Sequence, residues 1–183
     1  MKYQPYVDFT AQSANIQTLL TMYEGLDRFP DRPEVITPIV VFMAFAVEAY
    51  LNTLGFRHIQ KWSEIERIPW KAKVEALYKN ADSKPDWGSR DLQFCKKLFK
   101  LRDLLAHGKP SRWTTDWVDD YEQARAILAF ADFQPTWYRQ LNKAWAAKAK
   151  VAFTSLMAGL GALYGLQESD HLEVSQGGIA VDD

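Results

Sequence analysis

The chain has 183 residues, about half of them apolar, and includes seven Trp, eight Tyr and ten Phe. That length and aromatic content favour one folded domain with a sizeable core and exclude disorder over most of the chain. Lysines and arginines number 22 against 23 acids, a net charge of −1, so no global field draws the chain to nucleic acid or an anionic membrane. Any such binding must use a local patch.

A single Cys95 excludes an internal disulfide and a multi-cysteine metal site. With three histidines a zinc site is not expected, although carboxylates could still hold magnesium; no metal and no cofactor is assigned. The N-terminal MKYQPYVDFT lacks the apolar run and cleavage pattern of a secretory signal, so a reducing, cytoplasmic setting is expected.

The punctuation along the chain is that of an all-α protein, a bundle of five to six helices. Asp8 can cap a first helix through about Arg28, with Ile16, Leu19, Leu20, Tyr23 and Leu26 at helical spacing. FPDRP breaks it. Thr37 and Pro38 then read as a cap followed by a first-turn proline, and Gly55 as the residue just past the end. The intervening PIVVFMAFAVEAYLNTLG is apolar nearly all round, which predicts the buried central helix.

Pro69 opens a modest helix through Asn80, and DSKPDWGS is a loop. Ser89 caps a helix from Arg90 to about His107, ended by Gly108 and Pro110. Thr114 or Thr115 starts another, to about Phe133, and Pro135 and Thr136 begin the last, through about Gly165. No clean period-2 run marks a strand. Residues 1–166 thus form one helical-bundle domain, and 167–183 an acidic, partly disordered tail.

VAFTSLMAGLGALYGL (151–166) carries a small-residue pattern, but its sixteen residues fall short of the roughly 20 that span a bilayer. A buried or interface helix is favoured over a membrane span, and no membrane partner is expected. Trp113, Trp117, Trp137 and Trp145 could stack on bases, although packing in a core or interface is the commoner role of such residues.

Glu48 and Asn52 lie four apart on the most apolar helix and so share a face. A carboxylate there is costly unless paired, and Arg102 is the expected partner, either as a purely structural ion pair or as a carboxylate orienting a working arginine. The segment 89–112 is locally basic, with Lys96, Lys97, Lys100, Lys109 and Arg112 among its cations. A polyanion would find favourable charge there, and a solvated helix face would look the same.

Arg102 falls on the apolar stripe of its helix, whereas five steps at about 100° each turn His107 roughly 140° away. The two side chains can meet only through unwinding at Gly108, the reach of arginine, or a second copy of the chain. His107, at the helix end with Asp103 one turn before it, suits proton transfer; a guanidinium suits a phosphate gaining charge in the transition state.

RDLLAH (Arg102 to His107), at the end of a bundle helix, resembles the arginine–polar–three residues–histidine signature of HEPN domains. FAVEAYLNTLG resembles the acidic helix that many HEPN proteins carry before that motif. The resemblance covers the helix order from roughly residue 34 to 133. It implies a dimeric, metal-independent endoribonuclease, a toxin or phage-defence effector, with RNA as substrate and an antitoxin protein as a further partner. In this sequence Arg102 would stabilise the scissile phosphate and His107 would move protons as the ribose 2′-oxygen attacks. Asp103 takes the polar position, with Glu48 and Asn52 in support. The alternative is a non-catalytic helical interaction module on the same scaffold.

Overall fold

A hydrophobic helix too apolar to face water on any side has to be surrounded, and the architecture follows from that need. In the computed structural model, which describes all residues except 111, 113, 131–133, 174 and 183, helix α2 (Pro33–His58) is the central rod. Around it pack α1 (Ala11–Gly25), α4 (Trp70–Asn80), α5 (Arg90–His107) and α8 (Lys143–Ala162). Ile36, Val40, Met43, Val47, Tyr50, Leu51 and Leu54 of α2 are completely enclosed, meeting Ile16, Leu77, Leu98, Phe99 and Met157 from the surrounding helices. The fold is an all-α bundle; one-turn helices α3 (Trp62–Ile65) and α7 (Thr136–Arg139) and the ten-residue α6 (Tyr121–Phe130) complete the helices among the described residues.

Several boundaries differ from expectation, each for a local reason. α1 starts at Ala11 behind Thr10, because Asp8 belongs to an extended strand, β1 (Lys2–Phe9). α2 starts at Pro33, not after Thr37; Pro33 holds the first-turn position where a missing N–H costs nothing. Thr37 instead donates its hydroxyl to the Pro33 carbonyl at 2.9 Å, and Pro38 sits inside the helix. Gly55 is not past the end but three residues before it. A Cβ there would lie 2.2 Å from the ring of buried Trp62, so the glycine lets α3 fold back onto α2.

α5 matches its predicted limits. Ser89 Oγ accepts from the Leu92 amide at 3.4 Å, and Leu92, Cys95, Leu98 and Phe99 form its buried stripe. Gly108 closes it in an extended conformation (φ −59°) rather than a left-handed one; what demands glycine is the Leu104 carbonyl, 2.3 Å from where a Cβ would stand. α6 begins later than Thr115, because Asp120 caps it: its two carboxylate oxygens accept from Glu122 N at 3.3 Å and Gln123 N at 3.2 Å. The predicted end of that helix near Phe133 lies outside the described residues. The last helix is divided at Asn142, whose side chain caps α8 by accepting from Trp145 N at 2.8 Å.

The segment 151–166, weighed above as a membrane span, is the second half of α8 and its following turn, and buries Phe153, Leu156, Met157 and Leu160. Among the described residues α2 is the helix long and apolar enough to cross a bilayer, and half of its apolar stretch is buried within the bundle.

The C-terminal segment also departs from the expected disordered tail. A single 3-10 turn, Asp170–Leu172, docks against the bundle, and β2 (Ser175–Asp182) pairs antiparallel with β1 from Lys2↔Asp182 to Phe9↔Ser175. Neither strand carries a clean alternating pattern; Pro5 and Tyr6 interrupt one and Gly177–Gly178 the other. With partners at opposite ends of the chain there is also no hairpin turn to read.

Candidate nucleic-acid interface

The exposed face of α5 meets the N-terminal end of α4 in an open groove of about 550 Å³. Its floor is aromatic. Trp70, placed by the helix start after Pro69, stacks on Phe99 with ring centroids 4.7 Å apart and planes 7° apart. Trp87 meets Trp70 edge-on at 6.0 Å.

The rim is cationic: Lys71, Lys96, Lys100 and Lys109 line it, with Asp103 the one carboxylate among the lining residues. Lys71 Nζ lies 5.0 Å above the Trp87 ring. Lys96, Lys100 and Lys109 make no ion pair among the described residues. Spacing explains the alignment, since residues 96, 99, 100, 103 and 107 recur every three or four positions on one side of a helix. His107, the last helical residue, is exposed and opens onto this groove. Phe99 is buried beneath Trp70, so the groove offers solvent a half-buried indole beside a row of cations.

Arg102 is absent from the groove lining. Its Cζ lies 5.2 Å over the Phe99 ring, and its Nε is 3.0 Å from Asp103 Oδ1. That ion pair is not a hydrogen bond: the N–H does not aim at the oxygen, and the buried Nε has no hydrogen-bond partner. Within one chain, then, Arg102 and His107 do not face one site.

The expected Glu48–Arg102 pair does not form. Glu48 accepts instead from Lys73 Nζ of α4 at 3.2 Å, and the Lys73 side chain is only 3% exposed against 35% for Glu48. A lysine buried so deeply needs a counter-charge more than a half-exposed arginine does. Asn52 is half-buried, and its Oδ1 has no hydrogen-bond partner. Of the predicted RNA-contacting cations, Lys96, Lys100 and Lys109 share the groove. Lys97 points to another face of α5, and Arg112 is exposed in the following segment, off the groove lining. Sequence reading missed Lys71 and Trp70. Their only signal was proximity to Pro69, and nothing local says that this helix start lies against α5.

Trp113 lies outside the described residues. Trp117 is fully exposed, whereas Trp137 and Trp145 are half-buried, and Trp145 packs against the core as the commoner role of such residues predicts. Burial pushes the Cys95 thiol up to about 12, which removes it as a nucleophile. Among the described residues no three His, Cys, Asp or Glu side chains gather as a metal site.

A second polar cluster lies under the C-terminal 3-10 turn, and it is closed. Tyr50 donates to Asp170 Oδ2 at 3.0 Å, and Arg57 Nη1 donates to both Asp170 oxygens at 3.3 and 3.4 Å. Burial and the neighbouring Asp170 carboxylate push the Tyr50 phenol upward. His171 packs edge-on to Tyr50 at 6.2 Å, and His58 stacks on Tyr164 at 3.9 Å. Burial lowers the pKa of both imidazoles, aided at His58 by the charge of Arg57.

No family model, no curated protein and no solved structure matches the chain.

Proposed function

We propose that the protein is a metal-independent endoribonuclease of HEPN type that acts as a homodimer in the cytoplasm. The observation that carries the reading is the placement of His107, the histidine of RDLLAH, on a lysine-rimmed groove with an aromatic floor. The lysines hold the phosphodiester backbone, and bases lie against the half-buried Trp70 ring, which Phe99 supports from beneath. His107 moves the proton as the ribose 2′-oxygen bonds to phosphorus and the 5′-oxygen leaves, producing a 2′,3′-cyclic phosphate and a free 5′-hydroxyl. The guanidinium that stabilises the phosphorane comes from Arg102 of a second copy, because Arg102 of the same chain lies off the groove. An effector of this kind is held in check by an antitoxin partner.

The test is cleavage of single-stranded RNA with EDTA present. Wild type cuts, while His107→Ala and Arg102→Ala do not, and mixing the two inactive variants restores part of the activity through mixed dimers. Equal cleavage by wild type and variants would assign the activity to a contaminant.

A second reading, a non-catalytic helical interaction module, is favoured by α6. That helix buries none of its residues and leaves Tyr121, Leu128 and Phe130 exposed, with Trp117 just before it. In that case RNA stays intact, and truncating α6 abolishes partner binding while His107→Ala changes nothing.

A further inference from the structure

We infer that a second cationic groove, on the seam between α5 and α8, binds the phosphodiester backbone of the same single-stranded RNA beyond the cleavage groove. The inference rests on the RNA reading above and adds a ligand-binding site to it. The groove is smaller, about 280 Å³, and its charged lining residues are Arg90 and Lys97 of α5 and Lys148 of α8. No acid lines it.

None of these three cations makes an ion pair among the described residues. Lys73, Arg57 and Lys143 are answered, by Glu48, Asp170 and Asp27, whereas Arg90, Lys97 and Lys148 share the unpaired state of Lys96, Lys100 and Lys109 in the first groove. In a chain of net charge −1, three cations around one recess with no acid among its lining residues make the recess locally positive. Between them stand Phe94 and Trp145, both half-buried, which give the recess the flat apolar surface that a base can cover.

The position relative to the first groove also fits one strand. Residues 90, 94 and 97 lie on a face of α5 turned roughly 100° from the face of 96, 100, 103 and 107. Lys97 and Lys100 adjoin across the ridge, so the two basic surfaces are continuous. Lys97 and His107 are about 15 Å apart along the helix axis, a span that a few nucleotides cover. Anionic lipid would meet the same charges, but a recess with aromatic side chains between cations suits a strand better than a flat headgroup layer.

Binding of a fluorescent, uncleavable 2′-O-methyl single-stranded RNA of roughly 20 nucleotides tests the site by anisotropy. Lys97→Glu/Lys148→Glu should weaken binding at least tenfold, and Lys97→Arg/Lys148→Arg should retain it. The slope of log affinity against log salt should become shallower by about 1.4 in the glutamate variant, since each phosphate contact on a single strand contributes roughly 0.7. Unchanged affinity and slope overturn the inference. So does a variant that loses adhesion to phosphatidylserine vesicles while keeping RNA affinity, or a wild type that binds no RNA. A wild type that binds the oligomer in the predicted way but cuts no RNA removes the nuclease reading and leaves this site standing. Cleavage by wild type with unaltered binding by the glutamate variant does the reverse.

Discussion

The groove at the end of α5 and the cluster under the C-terminal turn each set histidine beside cations and a carboxylate, but the groove carries excess positive charge and the cluster is balanced. In the groove, four lysines and exposed His107 face one carboxylate. In the cluster, Asp170, with a side chain 8% exposed, is answered by Tyr50 and Arg57, and His171 is buried beside them. Charge that is solvated and unanswered does little for stability but generates a field toward solvent; charge that is enclosed and answered holds the fold and offers a ligand nothing. The contrast separates a histidine left open to solvent on a basic groove from one enclosed in the fold.

The comparison breaks most visibly at Asp170. Replacing it with alanine leaves Arg57 and the enclosed Tyr50 hydroxyl without their acceptor, an expected loss of about 3 kcal/mol in denaturant unfolding. In a chain of this length that lowers the melting temperature by roughly 6–12 °C. An unchanged melting temperature would show that the cluster is not structural.

Gly55→Ala comes next, at about 1–3 kcal/mol, because the added methyl must displace the Trp62 ring. A circular-dichroism melt and the Trp62 environment in near-ultraviolet spectra check it.

Acidification gives a smaller, graded effect. Folding lowers the pKa of His171 and His58 below the unfolded value of 6.5, so the unfolded chain takes up protons first as pH falls. Their contribution is intact above that value and is lost as pH drops from there toward the folded-state pKa values. Denaturation midpoints measured between pH 7.5 and 5.5 should therefore fall, and His171→Gln should flatten the trend.

The smallest stability effect belongs to the groove. Lys96→Glu/Lys100→Glu should change unfolding free energy by less than about 0.5 kcal/mol while weakening RNA binding more than tenfold. A large stability loss with intact binding would invert the comparison.

What was legible in the sequence was what local chemistry decides. Ser89 as a cap, the stripe from Leu92 to Phe99 and the stop at Gly108 were readable because each concerns neighbours within one helix. The central place of α2 followed from its being apolar on every side. The partner of Glu48 was not readable, since Arg102 and Lys73 are equally plausible cations until the packing of α4 on α2 is known. For the same reason Lys71 and Trp70 stayed invisible as groove residues. Gly55 misled because a glycine needed for close approach looks the same in a sequence as one that ends a helix.

The pairing of β1 with β2 gives the molecule a mechanical polarity. Residues 2 and 182 sit opposite each other at one end of an antiparallel ladder, so tension applied at these two positions opens its hydrogen bonds one rung at a time. The strands unzip at low force. The load then arrives at Ser175 and passes to Asp170, whose grip on Tyr50 and Arg57 becomes the first element to resist as a unit. In a pulling experiment the sheet yields as a soft ramp, and the step that follows reports the strength of that anchor.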